Sequence, residues 1–264
     1  MGISVDFFGA IMGPFNWIVS AIMVGIHDVL STMRMPAASG WTWTVSIIGL
    51  VLIIRAALIP VFLRQVSAQR RMRLLQPDLK RLQEKYKGKS DQLSRQAMAQ
   101  EQMALYKEHG TNPLSACLPM LIQVPFFFAL FQVLSGIPAA AREAHGIGAM
   151  THEQAVQFDE SSIFGAPLSA SVLHGSGGDP AAVAVLTSLM ILAMTAAQFI
   201  TQRRIVARTV PDEAADNPLA RQQKVIMYIL PLVFGVGGVL FPIGVLIYWT
   251  TTNLWTMAQQ FTIK

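Results

Sequence analysis

Residues Trp41–Arg64 read WTWTVSIIGLVLIIRAALIPVFLR, a stretch whose only charge before Arg64 is Arg55. An α-helix rises 1.5 Å per residue, so about 20 apolar residues cross the roughly 30 Å hydrocarbon core of a bilayer. This stretch is long enough, and a water-soluble helix has no use for so wide an apolar surface. Arg55 lies about 13 Å from Arg64 along such a helix. A charge near the bilayer centre costs about 2.5–3.5 kcal/mol on insertion scales. It therefore faces water or a polar partner, or else snorkels to the headgroups.

Working outward, the same reading predicts spans over 41–63, 113–138 and 181–201, and a further apolar run from Val225 to Ile263. That run is too long for one crossing. Phe241-Pro242-Ile243-Gly244 breaks it into spans 225–241 and 243–263, because Pro and Gly interrupt helices. Composition agrees: of 264 residues, 53% are hydrophobic and 13% charged, half the charge of a soluble domain. The net charge of +5 is not read as a nucleic-acid signal, because the basic residues are sorted by loop. Segment 64–112, predicted as a helical hairpin, holds eleven Lys/Arg against five acids up to His109. Segment 202–224 holds five Lys/Arg against three acids, and segment 139–180 holds Arg142 against five acids. Basic loops stay inside, which places the hairpin and 202–224 in the cytoplasm, 139–180 outside, the N-terminus outside and the C-terminus inside.

The predicted fold class is an all-α membrane protein: five core transmembrane helices, a cytoplasmic antiparallel helical hairpin, and an N-terminal interfacial helix within 1–40. In Phe15–Met33 the polar residues Asn16, Ser20, His27 and Ser31 form one helical stripe, read as an amphipathic helix in the outer interface. A sixth span is the alternative. In the hairpin, Met72, Leu75, Leu79, Leu82 and Tyr86 follow a heptad seam that Pro77 interrupts, Gly88-Lys89-Ser90 reads as a turn, and Asp91–His109 as a second helix stopped by Gly110. Lys85, Lys87 and Lys89 crowd its tip. Polar stripes also mark two spans: Thr195, Gln198, Thr201 and Gln202 in the third, and Trp249, Thr252, Thr256 and Gln260 beside Tyr248 in the fifth. Ordinary interhelical hydrogen bonding explains a single such Thr; two stripes and a central Arg suggest a hydrated groove.

Enzyme signatures do not emerge. Gly88-Lys89-Ser90 lacks the glycine and strand of a phosphate loop, and His174 occupies the first Gly position of a would-be nucleophile elbow. The lone Cys117 excludes a disulfide framework, and the histidines have no ligand spacing, so no cofactor and no metal are expected. Met1 is followed by no signal-peptide pattern, and an uncleaved chain without a lipid anchor is expected.

The stretches SIIGLVLIIRAALIP (Ser46–Pro60), NPLSACLPMLIQVPFFFALF (Asn112–Phe131) and FPIGVLIYWTTTNLWTMAQQ (Phe241–Gln260) resemble the YidC insertase family, over nearly the whole chain. The resemblance implies a membrane-protein insertase and chaperone, not an enzyme, with a hydrophilic groove open to the cytoplasm and lipid and closed to the outside. It implies Arg55 as the groove charge, Gln198 and Trp249 as groove-lining residues, and Tyr248 as a substrate contact, with Thr252 and Thr256 on the same face. The partners implied are nascent membrane proteins, the ribosome, a targeting factor or receptor, the Sec translocon and the bilayer. The large external domain, extra N-terminal span and basic tail of some relatives are not expected. The competing readings are a transporter or channel with Arg55 as an anion site, and a membrane assembly scaffold.

Overall fold

In the computed structural model, 3–89, 91–110, 118–173, 178–209, 229, 233 and 235–262 are described. Almost all of this is helix. The helices are α1 (Ile3–Thr32), α2 (Gly40–Ala57), α3 (Ile59–Leu74), α4 (Gln76–Lys85), α5 (Gln92–Glu108), α6 (Leu118–Arg142), α7 (His152–Glu160), α8 (Pro180–Thr209) and α9 (Ile243–Thr262). Strands β1 (Ser162–Ile163) and β2 (Ala166–Pro167) form a small antiparallel hairpin. Among the described residues, stretches of α1 (Gly9–Thr32), α2, α6 (Gln123–Arg142) and α8 (Pro180–Arg204) are long and apolar enough to cross a membrane. The chain is an all-α membrane protein. Cys117, His174 and most of the expected span 225–241 lie outside the described residues.

The chain divides into two compact units, Met1–Ile54 with Pro125–Lys264, and Arg55–Val124. In the larger unit the polar stripe of α1 does not face water. Asn16 Nδ2 donates to Gln132 Oε1 on α6 at 3.0 Å, and Ala149 N donates to Ser20 Oγ at 2.7 Å. His27 is buried and stacks on Trp43 of α2, with ring centroids 3.8 Å apart. The exposed side of α1 carries Ile11, Trp17, Ile18 and Val29. An apolar outside over a polar inside suits a helix bordered by lipid, and Gly9–Thr32 is long and apolar enough to cross a membrane.

The segment expected as an external loop is a folded cap. Thr151 and Gln154 make a reciprocal capping box that starts α7. Phe158 on α7 is fully buried edge-on against Trp43, its ring centroid 5.4 Å away. The cap also seats the start of α9. Ile243 N donates to Ala170 O at 3.0 Å and Gly244 N to Leu168 O at 2.8 Å, so two orphan donors of the first turn are satisfied from outside the helix. Gly244 fits closely there: a Cβ would sit 3.2 Å from Phe158 Cζ, and that ring would have to shift by a few tenths of an ångström. A 3₁₀ turn (Gly238–Leu240) precedes α9, and Phe241, extended before Pro242, ends it.

In the smaller unit the apolar seam packs α4 on α5. The helix restarts at Leu75, with Pro77 accommodated in the first turn of α4, where its missing N–H is harmless. Asp91 caps α5 by accepting from Ser94 N at 2.9 Å, and Gly110 beyond the other end adopts φ +58°.

Candidate functional site

Helices α8 and α9 pack along each other more extensively than any other described pair. α8 has its polarity inside out. Val185, Leu189, Leu192 and Phe199 are exposed, whereas Thr187, Met194, Ala197 and Thr201 are buried and Gln198 is half-buried. The spacing puts these two sets on opposite faces of the helix. α9 is long enough to span and carries a run of polar residues through its middle, Thr250, Thr251, Thr252 and Asn253, with Thr256 one turn on.

Some of these groups are consumed locally. Thr201 Oγ1 donates to Ala197 O at 2.7 Å, Thr251 Oγ1 to Ile247 O at 2.8 Å, Asn253 Nδ2 to Trp249 O at 3.0 Å and Thr256 Oγ1 to Thr252 O at 2.9 Å. Such back-bonding to i−4 carbonyls uses up a hydroxyl's only donor and leaves its oxygen able to accept. Others have no partner among the described residues. Seven of the thirteen buried, unpartnered side-chain atoms lie on this helix pair: Thr187 Oγ1, Thr195 Oγ1 and Gln202 Oε1 on α8, and Thr250 Oγ1, Thr252 Oγ1, Trp255 Nε1 and Gln259 Oε1 on α9. An unsatisfied buried polar group costs about 1–3 kcal/mol. A concentration of them on one pair of helices marks a face that a polar occupant or water would satisfy.

The cap-proximal half of the pair is closed by aromatic packing. Phe127 of α6 lies 5.7 Å from Trp249 and 6.3 Å from Tyr248, and Phe241 lies 5.6 Å from Trp249. Tyr248 is only 3% exposed, whereas Trp249 is half-buried and stands at the margin of the cluster. Of the residues singled out from sequence, Gln198, Tyr248, Trp249, Thr252 and Thr256 thus fall on this pair. The sequence stripes missed the unpartnered Trp255 and Gln259 and the aromatic lid from α6; Phe126, Phe127 and Phe128 in a row were the available signal.

Arg55 belongs to the smaller unit. The expected span 41–63 is interrupted: α2 ends at Ala57, and α3 begins at Ile59, before Pro60. Arg55 therefore occupies the last turn of α2, half-buried, with a polar contact of its own. A cation there complements the helix dipole.

The hairpin tip is a charge cluster. Lys85 Nζ donates to Glu101 at 2.7 Å, and Tyr86 OH donates to the same carboxylate at 2.8 Å. Lys85 and Lys89 lie 5.4 Å from the centre of the Tyr86 ring, and Lys87 is exposed. The hydrogen bonds from Lys85 and Tyr86 hold the Glu101 carboxyl below the usual range, and Glu101 in turn raises both donors. Glu101, sixteen residues from Lys85, was not legible as its tether.

Fold and site together define a multi-pass all-α membrane protein with buried polar groups concentrated on two adjoining helices. The family model of the 60Kd inner membrane protein matches residues 35–264, and the chain belongs to that family. A relative from Streptomyces avermitilis named membrane protein insertase YidC is 42% identical over 96% of this chain, which spans 57% of that relative's length. One of the same name from Tropheryma whipplei is 42% identical over 97% of this chain and 84% of its own length. A third, from Bifidobacterium longum, is 32% identical over 96% and 75%.

Proposed function

We propose that this chain inserts newly made membrane proteins by offering their hydrophilic segments the polar face of α8 and α9 within the depth of the membrane, without nucleotide hydrolysis. Membrane-insertase function is what the family membership supports. The observation that carries the mechanism is the concentration of unpartnered buried polar atoms on α8 and α9. Such a face lowers the cost of bringing a polar loop into the bilayer, which is otherwise several kcal/mol per charged residue. The apolar span that follows then leaves for lipid, gaining about 25 cal/mol per Å² of apolar surface removed from water.

Two further features support the reading. The cap binds the first turn of α9 through Ala170 and Leu168, which favours a path closed at that end and open at the other. Arg55 places a permanent charge on an apolar helix, a position suited to drawing water or acidic groups of a substrate into the membrane. The orientation proposed has the cap outside and the basic hairpin inside, where Lys85, Lys87 and Lys89 would meet the ribosome, a targeting factor, the Sec translocon or anionic headgroups.

Photo-crosslinking tests the path. A probe at Gln198 or Trp249 is expected to capture a stalled nascent span, and one at Val236, which is 74% exposed, much less. A probe at buried Tyr248 should capture the span only when the Phe127 cluster opens. Equal capture at Val236 and Gln198 would remove the defined path.

A further inference from the structure

The ends of α8 and α9 away from the cap form a shallow cleft of about 380 Å³ lined by Phe199, Ile200, Arg203, Arg204 and Phe261. Its depth follows from helix geometry. Arg204 lies about 36 Å along α8 from Pro180, and Phe261 about 27 Å along α9 from Ile243. Against a hydrocarbon core of roughly 30 Å, both sit where acyl chains give way to headgroups. The floor faces outward: Phe199, Ile200 and Phe261 are 47%, 42% and 48% exposed.

Two guanidiniums stand over this floor, and among the described residues neither makes an ion pair. The Arg204 guanidinium lies 3.4 Å from the centre of the Phe261 ring. Stacking fixes the plane of the guanidinium and leaves its N–H edge free, the geometry that binds a phosphate through two parallel hydrogen bonds. Arg203 adds a second charge at the same level, and the exposed apolar floor below would be poorly solvated by anything but lipid.

We propose that this cleft binds the phosphate of an anionic phospholipid, whose acyl chains lie along Phe199, Ile200 and Phe261. The anionic class is favoured because two guanidiniums without an ion pair among the described residues repel the ammonium of a zwitterionic headgroup. A soluble phosphate would use the same donors but gain nothing from the floor. The site occupies the far ends of the same two helices, and its lipid binding does not require them to serve as an insertion path.

Native mass spectrometry of the full chain in detergent tests it, with phosphatidylglycerol and phosphatidylcholine of identical chains, and inorganic phosphate as the soluble arm. Wild type should retain phosphatidylglycerol about tenfold to thirtyfold better than phosphatidylcholine, the size expected of two interfacial arginines. Arg203→Gln with Arg204→Gln should abolish that preference, and Arg95→Gln with Lys107→Gln, exposed positions on α5, should leave it intact. Arg204→Lys, which keeps the charge but not the stacked fork, should lose about threefold and decides the matter if the double variant does not fold. Undiminished phosphatidylglycerol retention in both arginine variants would overturn the proposal. Displacement of the lipid by equimolar inorganic phosphate would show a free-phosphate site and overturn it equally.

Discussion

Replacing the unpartnered hydroxyls of the polar face distinguishes a wet path from a dry core. Thr187, Thr195 and Thr252 each bury an Oγ1 without a partner among the described residues. Exchange to Val removes the hydroxyl at nearly constant volume. If the hydroxyls are sealed in a dry interior, each exchange relieves about 1–3 kcal/mol, and the triple variant gains about 3–9 kcal/mol. If water satisfies them, each exchange forfeits a hydrogen bond worth about 0.5–1.5 kcal/mol net. At roughly 2–4 °C per kcal/mol for a domain of this size, the two cases lie far apart in a melting curve. We expect the triple variant in lipid nanodiscs to melt a few degrees lower than wild type and its insertion activity to fall several-fold. A rise of more than about 6 °C with insertion intact would show a dry, structural interface and refute the reasoning.

Other consequences follow from the cap, the hairpin and Arg55. A Cβ at Gly40 would collide with the backbone carbonyl of Ser162, so Gly40→Ala should destabilise the larger unit by about 1–3 kcal/mol in thermal unfolding. Glu101 has its pKa lowered from an ordinary value near 4.5, so its contribution is complete above that value and is lost as pH falls through the lowered one. Tyr86 and Lys85 are raised from 10.0 and 10.5, so theirs is complete below those values and lost as pH climbs through the raised ones. Amide-exchange protection at the hairpin tip should thus be flat from about pH 5 to 9.5 and fall on both sides, and Glu101→Gln should reduce the acidic limb to the part that Asp91, lowered by its hydrogen bond from Ser94 N, supplies. Arg55→Lys should retain most insertion, whereas Arg55→Ala should lose acidic-tailed substrates selectively if attraction matters and all substrates if hydration does. No loss at all would make Arg55 a headgroup-snorkelling residue.

Length and apolar content made the membrane class legible, because a bilayer imposes a fixed span on any helix. Ends were legible where a side chain or a special backbone angle sets them, as at Asp91, Gly110 and Phe241-Pro242. The stripe of Asn16, Ser20 and His27 was legible as a stripe but not in its direction. A polar row looks the same whether it meets water or Gln132, Ala149 and Trp43. The cap was missed because its cohesion is non-local: the Thr151–Gln154 box is short, and Phe158 gains its burial from Trp43 and Gly244. On the polar face, composition located Gln198, Thr252 and Thr256, but only three-dimensional contacts separate a back-bonded hydroxyl such as that of Thr256 from an unpartnered one such as that of Thr252.

The most direct test of the central claim is reconstitution of the purified chain alone into lipid vesicles, with a newly made single-span substrate and no nucleotide. Protease protection of the substrate's translocated tail reports insertion. The account predicts protection with wild type, several-fold less with the Thr187, Thr195 and Thr252 triple Val variant, and none above background in empty vesicles. Protection equal to that of empty vesicles with correctly folded wild type, or undiminished by the triple variant, would contradict it.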